Sequence, residues 1–99
     1  MEIKINDVHF DASERLKTFA NSRVSKLTQY SDDIISAEVT LKFEKAEQVE
    51  NKVAKIKLDI PGLDLFAEKQ AKSFEEAIDL TLDALRRQLE KRKGKTKEA

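Results

Sequence analysis

Along the first positions of the chain, Ile3 and Ile5 alternate with Glu2, Lys4 and Asn6, a period of two that predicts a half-buried strand. The phase then shifts to Val8 and Phe10, so a bulge or the strand's end is expected near Asp7. From there the period changes. Leu16, Phe19, Ala20, Val24, Leu27 and Tyr30 recur at three- and four-residue steps, which predicts a first helix ending near Ser31. Asp11 with Glu14 offers a capping box, and Ser13 is a competing cap. Ala37, Val39, Leu41 and Phe43 alternate with Glu38, Thr40, Lys42 and Glu44, a second strand. A charged connection without apolar period follows over 44–51. Ala54, Ile56, Leu58 and Ile60 then point one way and Val53, Lys55, Lys57 and Asp59 the other. Pro61-Gly62 matches the centre of a type II turn, because proline pre-sets φ and glycine takes φ > 0. Leu63, Leu65 and Ala67 form the inward set of a fourth strand, with Asp64, Phe66 and Glu68 outward.

The last stretch reads as one long helix. Ser73 and Glu76 make a capping box, and Glu75, Glu76 and Asp79 suit the positive end of the helix dipole. Phe74, Ala77, Ile78, Thr81, Leu82, Leu85 and Leu89 form one apolar stripe. Helix-forming residues continue to Lys93, with Gly94 as the expected stop. At 100° per residue Arg92 falls on the side of Ile78 and Leu85, where a guanidinium signals that the body of the domain has ended. The reading is a domain over 1–94 and a basic flexible tail over 95–99.

The order is β-α-β-β-β-α. A right-handed crossover should place the first two strands parallel, and the others should form an antiparallel meander. Both helices need an apolar surface and the sheet offers one face. The expected fold is therefore an α+β two-layer sandwich, a four-stranded mixed sheet with two helices on one side. The opposite face carries Glu38, Thr40, Lys42, Lys55, Lys57 and Asp59, a wet surface on which Phe66 is the exception. That ring is either a contact point or a cross-strand packer.

Composition sharpens this picture at one place. The 99 residues suffice for one domain, and charged residues (38%) nearly equal hydrophobic ones (39%), which describes a thin core under a charged skin. Net charge is +0, so only its distribution is informative. Residues 71–83 carry a net −3; from Arg86 onward seven cations, Arg86, Arg87, Lys91, Arg92, Lys93, Lys95 and Lys97, face only Glu90 and Glu98, a net +5. A few cations would complement the dipole's negative end. Seven within one short segment ask for a polyanion. Arg23 falls within the apolar face of the first helix and Lys26 at its flank. Two accounts fit that spacing equally: stems covering apolar surface with heads in water, or the near rim of a basic surface shared with the last helix.

Nothing catalytic assembles. The two glycines cannot build a phosphate cradle, and His9, the single histidine, sits beside apolar residues at a strand end, where a structural role is expected. Without cysteine there is no disulfide or thiolate site, consistent with a reducing cytoplasm. Asp32-Asp33 alone supplies too few oxygens for a hard cation. No segment reads as a signal peptide or membrane span. The expectation is a non-enzymatic cytoplasmic protein without cofactor, metal, small-molecule substrate or membrane partner. Scarce aromatics disfavour single-strand base reading, leaving a folded RNA read by backbone and shape. The competing class is a protein-interaction module that docks through the wet sheet face or the acidic helix start.

LKTFANSRVSKLTQYSDDI, LKFEK and DLFAEKQAKSFEEAIDLTLDALRRQLEKRK, in this order, resemble the ribosome hibernation promoting factor and ribosome-associated inhibitor family, in its short form. The resemblance implies a double-stranded-RNA-binding-like fold seated on the small ribosomal subunit between head and body. There it would occupy the messenger RNA path and the A and P sites and silence idle ribosomes in stationary phase or stress. It implies that Arg23 and Lys26 touch ribosomal RNA phosphate from the first helix, and that Arg87, Lys91 and Lys95 do so from the last. Relatives often carry lysine where Ala84 stands; Arg86 would substitute from a neighbouring direction, and Arg92 and Lys93 complete the expected basic set. Longer members append a second domain that pairs ribosomes; this sequence resembles the short type, so any ribosome pairing would need another factor. A monomer is expected rather than a stable homodimer.

Overall fold

Four strands and two helices follow one another as β1 (Glu2–Asp7), α1 (Glu14–Ser25), a 3₁₀ turn (Lys26–Gln29), β2 (Ser36–Phe43), β3 (Lys52–Ile60), β4 (Leu63–Ala71) and α2 (Phe74–Glu98). The computed structural model describes the backbone of residues 1–44 and 49–98, and side chains over 1–44 and 49–91. The strands lie in chain order β1-β2-β3-β4. β1 is parallel to β2 with Ile3 beside Ala37, and the two later pairings are antiparallel, with Val39 beside Ile56 and Ile56 beside Ala67. The expected mixed sheet is present.

The first strand ends where its phase breaks. Beyond Asp7, His9 takes φ 62, a left-handed conformation uncommon for a residue with a Cβ, and the chain reverses toward α1. Asp7 Oδ2 accepts the Ala12 N–H at 2.7 Å, closing that reversal. Ser13, not Asp11, caps α1: its Oγ accepts the Leu16 N–H at 3.1 Å. The expected single helix to Ser31 is in fact an α-helix to Ser25 followed by the 3₁₀ turn. Ser25 Oγ donates to Ser22 O and Thr28 Oγ1 to Ser25 O, local bonds that compete with the regular helical ladder there.

α1 and α2 cover the same face of the sheet. Leu16, Ala20, Val24 and Leu27 from the first side meet Ala37, Val39, Leu41, Ala54, Ile56, Leu58 and Ile60 in one core. The α2 stripe Phe74, Ala77, Ile78, Thr81, Leu82, Leu85 and Leu89 is buried throughout, as its spacing predicts. Thr81 is the buried polar member; its Oγ1 lies 2.7 Å from Ala77 O and 3.0 Å from Ala54 O, so one hydroxyl ties the helix to itself and to β3. Both helices start at the same end of the sheet. There Phe10 stacks on Phe74 with centroids 4.9 Å apart, and Phe43 meets both rings edge-on at 5.2 Å.

At three positions exposure departs from what the alternation implies. Val53, read as outward, is buried on the outer face between its register neighbours Lys42 and Gln70, whose long side chains flank it on both sides. Leu63, read as inward, is exposed because it follows the hairpin turn at the sheet's end, where Gly62 takes φ 79. Phe43, also read as inward, is half exposed, at the rim of the aromatic cluster. α2 also runs on to Glu98, past the expected stop at Gly94 and through most of the segment read as a tail. Among the described residues no helix is long and apolar enough to cross a membrane.

Candidate polyanion-binding surface

α1 and α2 lie side by side, and the seam between them opens at the far end of α1 into a groove of about 270 Å³. Leu27, Leu82 and Tyr30 supply its apolar lining, and Arg23, Lys26 and Arg86 its cations. These three came from opposite ends of the sequence. The fold brings them together because α1 buries Ala20 and Val24, and the 3₁₀ turn Leu27, against the sheet beside the Ile78–Leu85 stretch of α2. The side chains flanking those two buried stripes then face each other across the seam.

Each cation reaches the groove by a different local route. Arg23 lies in the last turn of α1, its guanidinium 4.8 Å from the centroid of Phe19, with Asp79 Oδ1 at 3.7 Å. Its guanidinium lies over the Phe19 ring while the side chain remains 45% exposed, an apolar contact with the charge still open to water. Lys26 opens the 3₁₀ turn and has no ion-pair partner among the described residues. Arg86 Nη2 donates to Asp83 Oδ1 at 2.7 Å and Nη1 to Glu90 Oε1 at 3.0 Å. Arg87 Nη2 approaches Asp83 Oδ2 at 2.8 Å, yet the Arg87 side chain stays 73% exposed, so the pair leaves it open to solvent. Lys91 is exposed and has no ion pair among the described residues. Arg92, Lys93 and Lys95 lie outside the residues whose side chains are described.

Electrostatics follow from these bonds. The hydrogen bond from Arg86 holds the Asp83 carboxyl below its usual range, with the charges of Arg87 and Arg86 adding to it. Asp83 in turn, with Glu90, raises Arg86 further above its already high value. By sequence Asp79 and Asp83 count in the negative segment, and Asp79 at the positive end of the helix dipole, but neither is paired there with an arginine. The steps from Asp83 to Arg86 and Arg87, three and four residues, were a legible signal of pairing. The Asp79–Arg23 pair joins two helices and had no such signal. Among the described residues no group of three His, Cys, Asp or Glu side chains is placed to hold a metal ion.

The structure is a small α+β sandwich in which Arg23, Lys26 and Arg86 share one groove with Asp79 and Asp83 where the two helices meet. Solved structures share the architecture. A ribosomal subunit interface protein from Coxiella burnetii superposes with a TM-score of 0.84 at 20% identity, covering 95% of this chain and 99% of that one. The N-terminal domain of Thermus thermophilus Protein Y gives 0.78 at 24%, covering 92% and 98%. Residues 3–97 match the family described as Sigma 54 modulation protein / S30EA ribosomal protein, and the chain belongs to that family. The ribosome hibernation promoting factor of Escherichia coli (strain K12) is 32% identical over 98 residues, 99% of each chain. That of Pseudomonas putida (strain KT2440) is 30% identical over 95 residues, 96% of this chain and 89% of its own. The family is one of ribosome-binding proteins, not of enzymes.

Proposed function

We propose that this protein is a cytoplasmic ribosome hibernation factor. It binds ribosomal RNA of the small subunit in the channel used by messenger RNA and by A- and P-site transfer RNA, and so silences translation in stationary phase or stress. The observation that carries the reading is the convergence of Arg23, Lys26 and Arg86 on one groove, continued along α2 by the exposed Arg87 and Lys91. Arg87 and Lys91 stand one helical turn apart, a step that can follow successive phosphates, and Lys95 continues the series in sequence. Lysine and arginine neutralise phosphates and release condensed counterions, and arginine adds bidentate bonds. The names of the relatives point the same way: hibernation promoting factors in Escherichia coli and Pseudomonas putida.

The protein acts by occupancy: a folded domain in the decoding channel excludes messenger and transfer RNA without chemistry, cofactor or small-molecule substrate. It binds as a monomer, with α2, including residues 92–98, as the arm that reaches furthest. The test is cosedimentation of the purified protein with small subunits in a sucrose gradient, together with inhibition of translation in a reconstituted system. Added messenger and initiator transfer RNA should compete with it. Binding that is indifferent to both competitors overturns the placement in the channel, and failure to travel with small subunits overturns the ribosomal reading as a whole.

A further inference from the structure

Two carboxylates one helical turn apart on α2 hold three arginines. Asp79 faces Arg23 of α1 at 3.7 Å, and Asp83 divides its two oxygens between Arg86 at 2.7 Å and Arg87 at 2.8 Å. Glu90 steadies Arg86 from the other side at 3.0 Å, and the Phe19 ring backs Arg23. The charged side chains are well exposed, between 38% and 73%, and exposed ion pairs contribute little to stability. Charge alone makes the acids a handicap, since a surface meant for phosphate would attract it more strongly without them.

What the carboxylates do supply is orientation. A guanidinium has five donors in a rigid fork. Arg86 uses two nitrogens, on Asp83 and Glu90, Arg87 brings one nitrogen to Asp83, and Arg23 meets Asp79 only as an ion pair at 3.7 Å. The remaining donors stay available for a ligand, on a group whose long stem no longer samples many rotamers. We propose that Asp79 and Asp83 are positioning residues that set RNA specificity. They fix Arg23, Arg86 and Arg87 in an array matched to one arrangement of phosphates, and they repel backbones that approach in any other way. Asp79 and Asp83 thus lower affinity for RNA in general while raising it for the correct site. This rests on the reading of the surface as an RNA-binding one.

The test compares the full-length protein with its Asp83→Ala and Asp83→Glu variants on two probes, purified small ribosomal subunits and a random-sequence RNA duplex, at the same salt. For Asp83→Ala the small-subunit affinity should fall about tenfold, the scale set by re-ordering two long side chains on binding. Affinity for the duplex should rise, because one negative charge has gone. Its slope against salt should steepen by up to about 0.7–0.9, one added phosphate contact. Asp83→Glu keeps the charge within reach of both arginines and should restore most of the small-subunit affinity. Movement of both affinities in the same direction overturns the proposal: a joint rise means the acid only opposes phosphate, and a joint loss means a general structural role. If the unaltered protein binds small subunits and Asp83→Ala binds them equally, only this inference fails. If the unaltered protein does not bind them, the functional reading fails first.

Discussion

Reversing two charges, Arg87→Glu together with Lys91→Glu, is the sharpest probe of the surface. The described cations assigned to it are Arg23, Lys26 and Arg86 in the groove and the exposed Arg87 and Lys91 further along α2. Five phosphate contacts imply that log affinity falls against log salt with a slope of about −3.5 to −4.5, and three contacts with about −2.1 to −2.7. Between about 50 and about 200 mM salt, the unaltered protein should then lose about 130- to 510-fold in affinity, and the double variant only about 20- to 40-fold. Binding of the variant at the lower salt should already be too weak to survive a gradient. The fold should not register the change, because Leu85 and Leu89 anchor this part of α2 from its opposite face. Melting should shift by no more than about 4 °C, the equivalent of roughly 1 kcal/mol in a domain of this size. Binding isotherms to small subunits at four salt concentrations give both slopes, and circular dichroism gives the melting point. A variant slope equal to the parent's refutes the assignment of Arg87 and Lys91 to phosphate. A large loss of stability refutes their assignment to the surface.

Three further expectations concern the scaffold. Leu85→Ala removes a fully buried side chain from beneath the groove and should cost about 2–5 kcal/mol, measurable by urea denaturation. Gly62→Ala meets no atom within 4 Å but must hold φ 79, so backbone strain alone should cost about 1–2 kcal/mol, read as a lower melting temperature without loss of small-subunit binding. The Asp7 carboxyl is held below the ordinary aspartate value, first by the Ala12 N–H. Its stabilising contribution is complete above that value and is lost as pH falls below it toward the depressed native value. Asp7→Asn should therefore flatten the acid limb of the stability curve, and an acid limb identical to the parent's would show that this bond carries no pH dependence.

The fold was legible because its elements are written in local periods. Alternation in 37–43 and 54–60, and the three-and-four spacing from Phe74 to Leu89, each name the buried face without reference to any other part of the chain. Burial confirms them, apart from positions at edges. Val53, Leu63 and Phe43 depart from the pattern because neighbours and sheet ends, not alternation, decide exposure there. The end of α1 at Ser25 departs for a similar reason, since side-chain hydroxyls compete with the helical ladder locally.

The site divides along the same line. By itself the sequence determined that cations crowd the last helix and that Asp83 stands three and four residues before two arginines, because both facts are local. Only the tertiary structure decided that Arg23 belongs with them. Packing α1 against α2 on one sheet face sets Arg23 against Asp79, residues more than fifty positions apart, and opens the groove between. A one-dimensional pattern records which face of a helix is apolar but not which neighbour lies along its flank, and it is along the flanks that Arg23 meets Asp79.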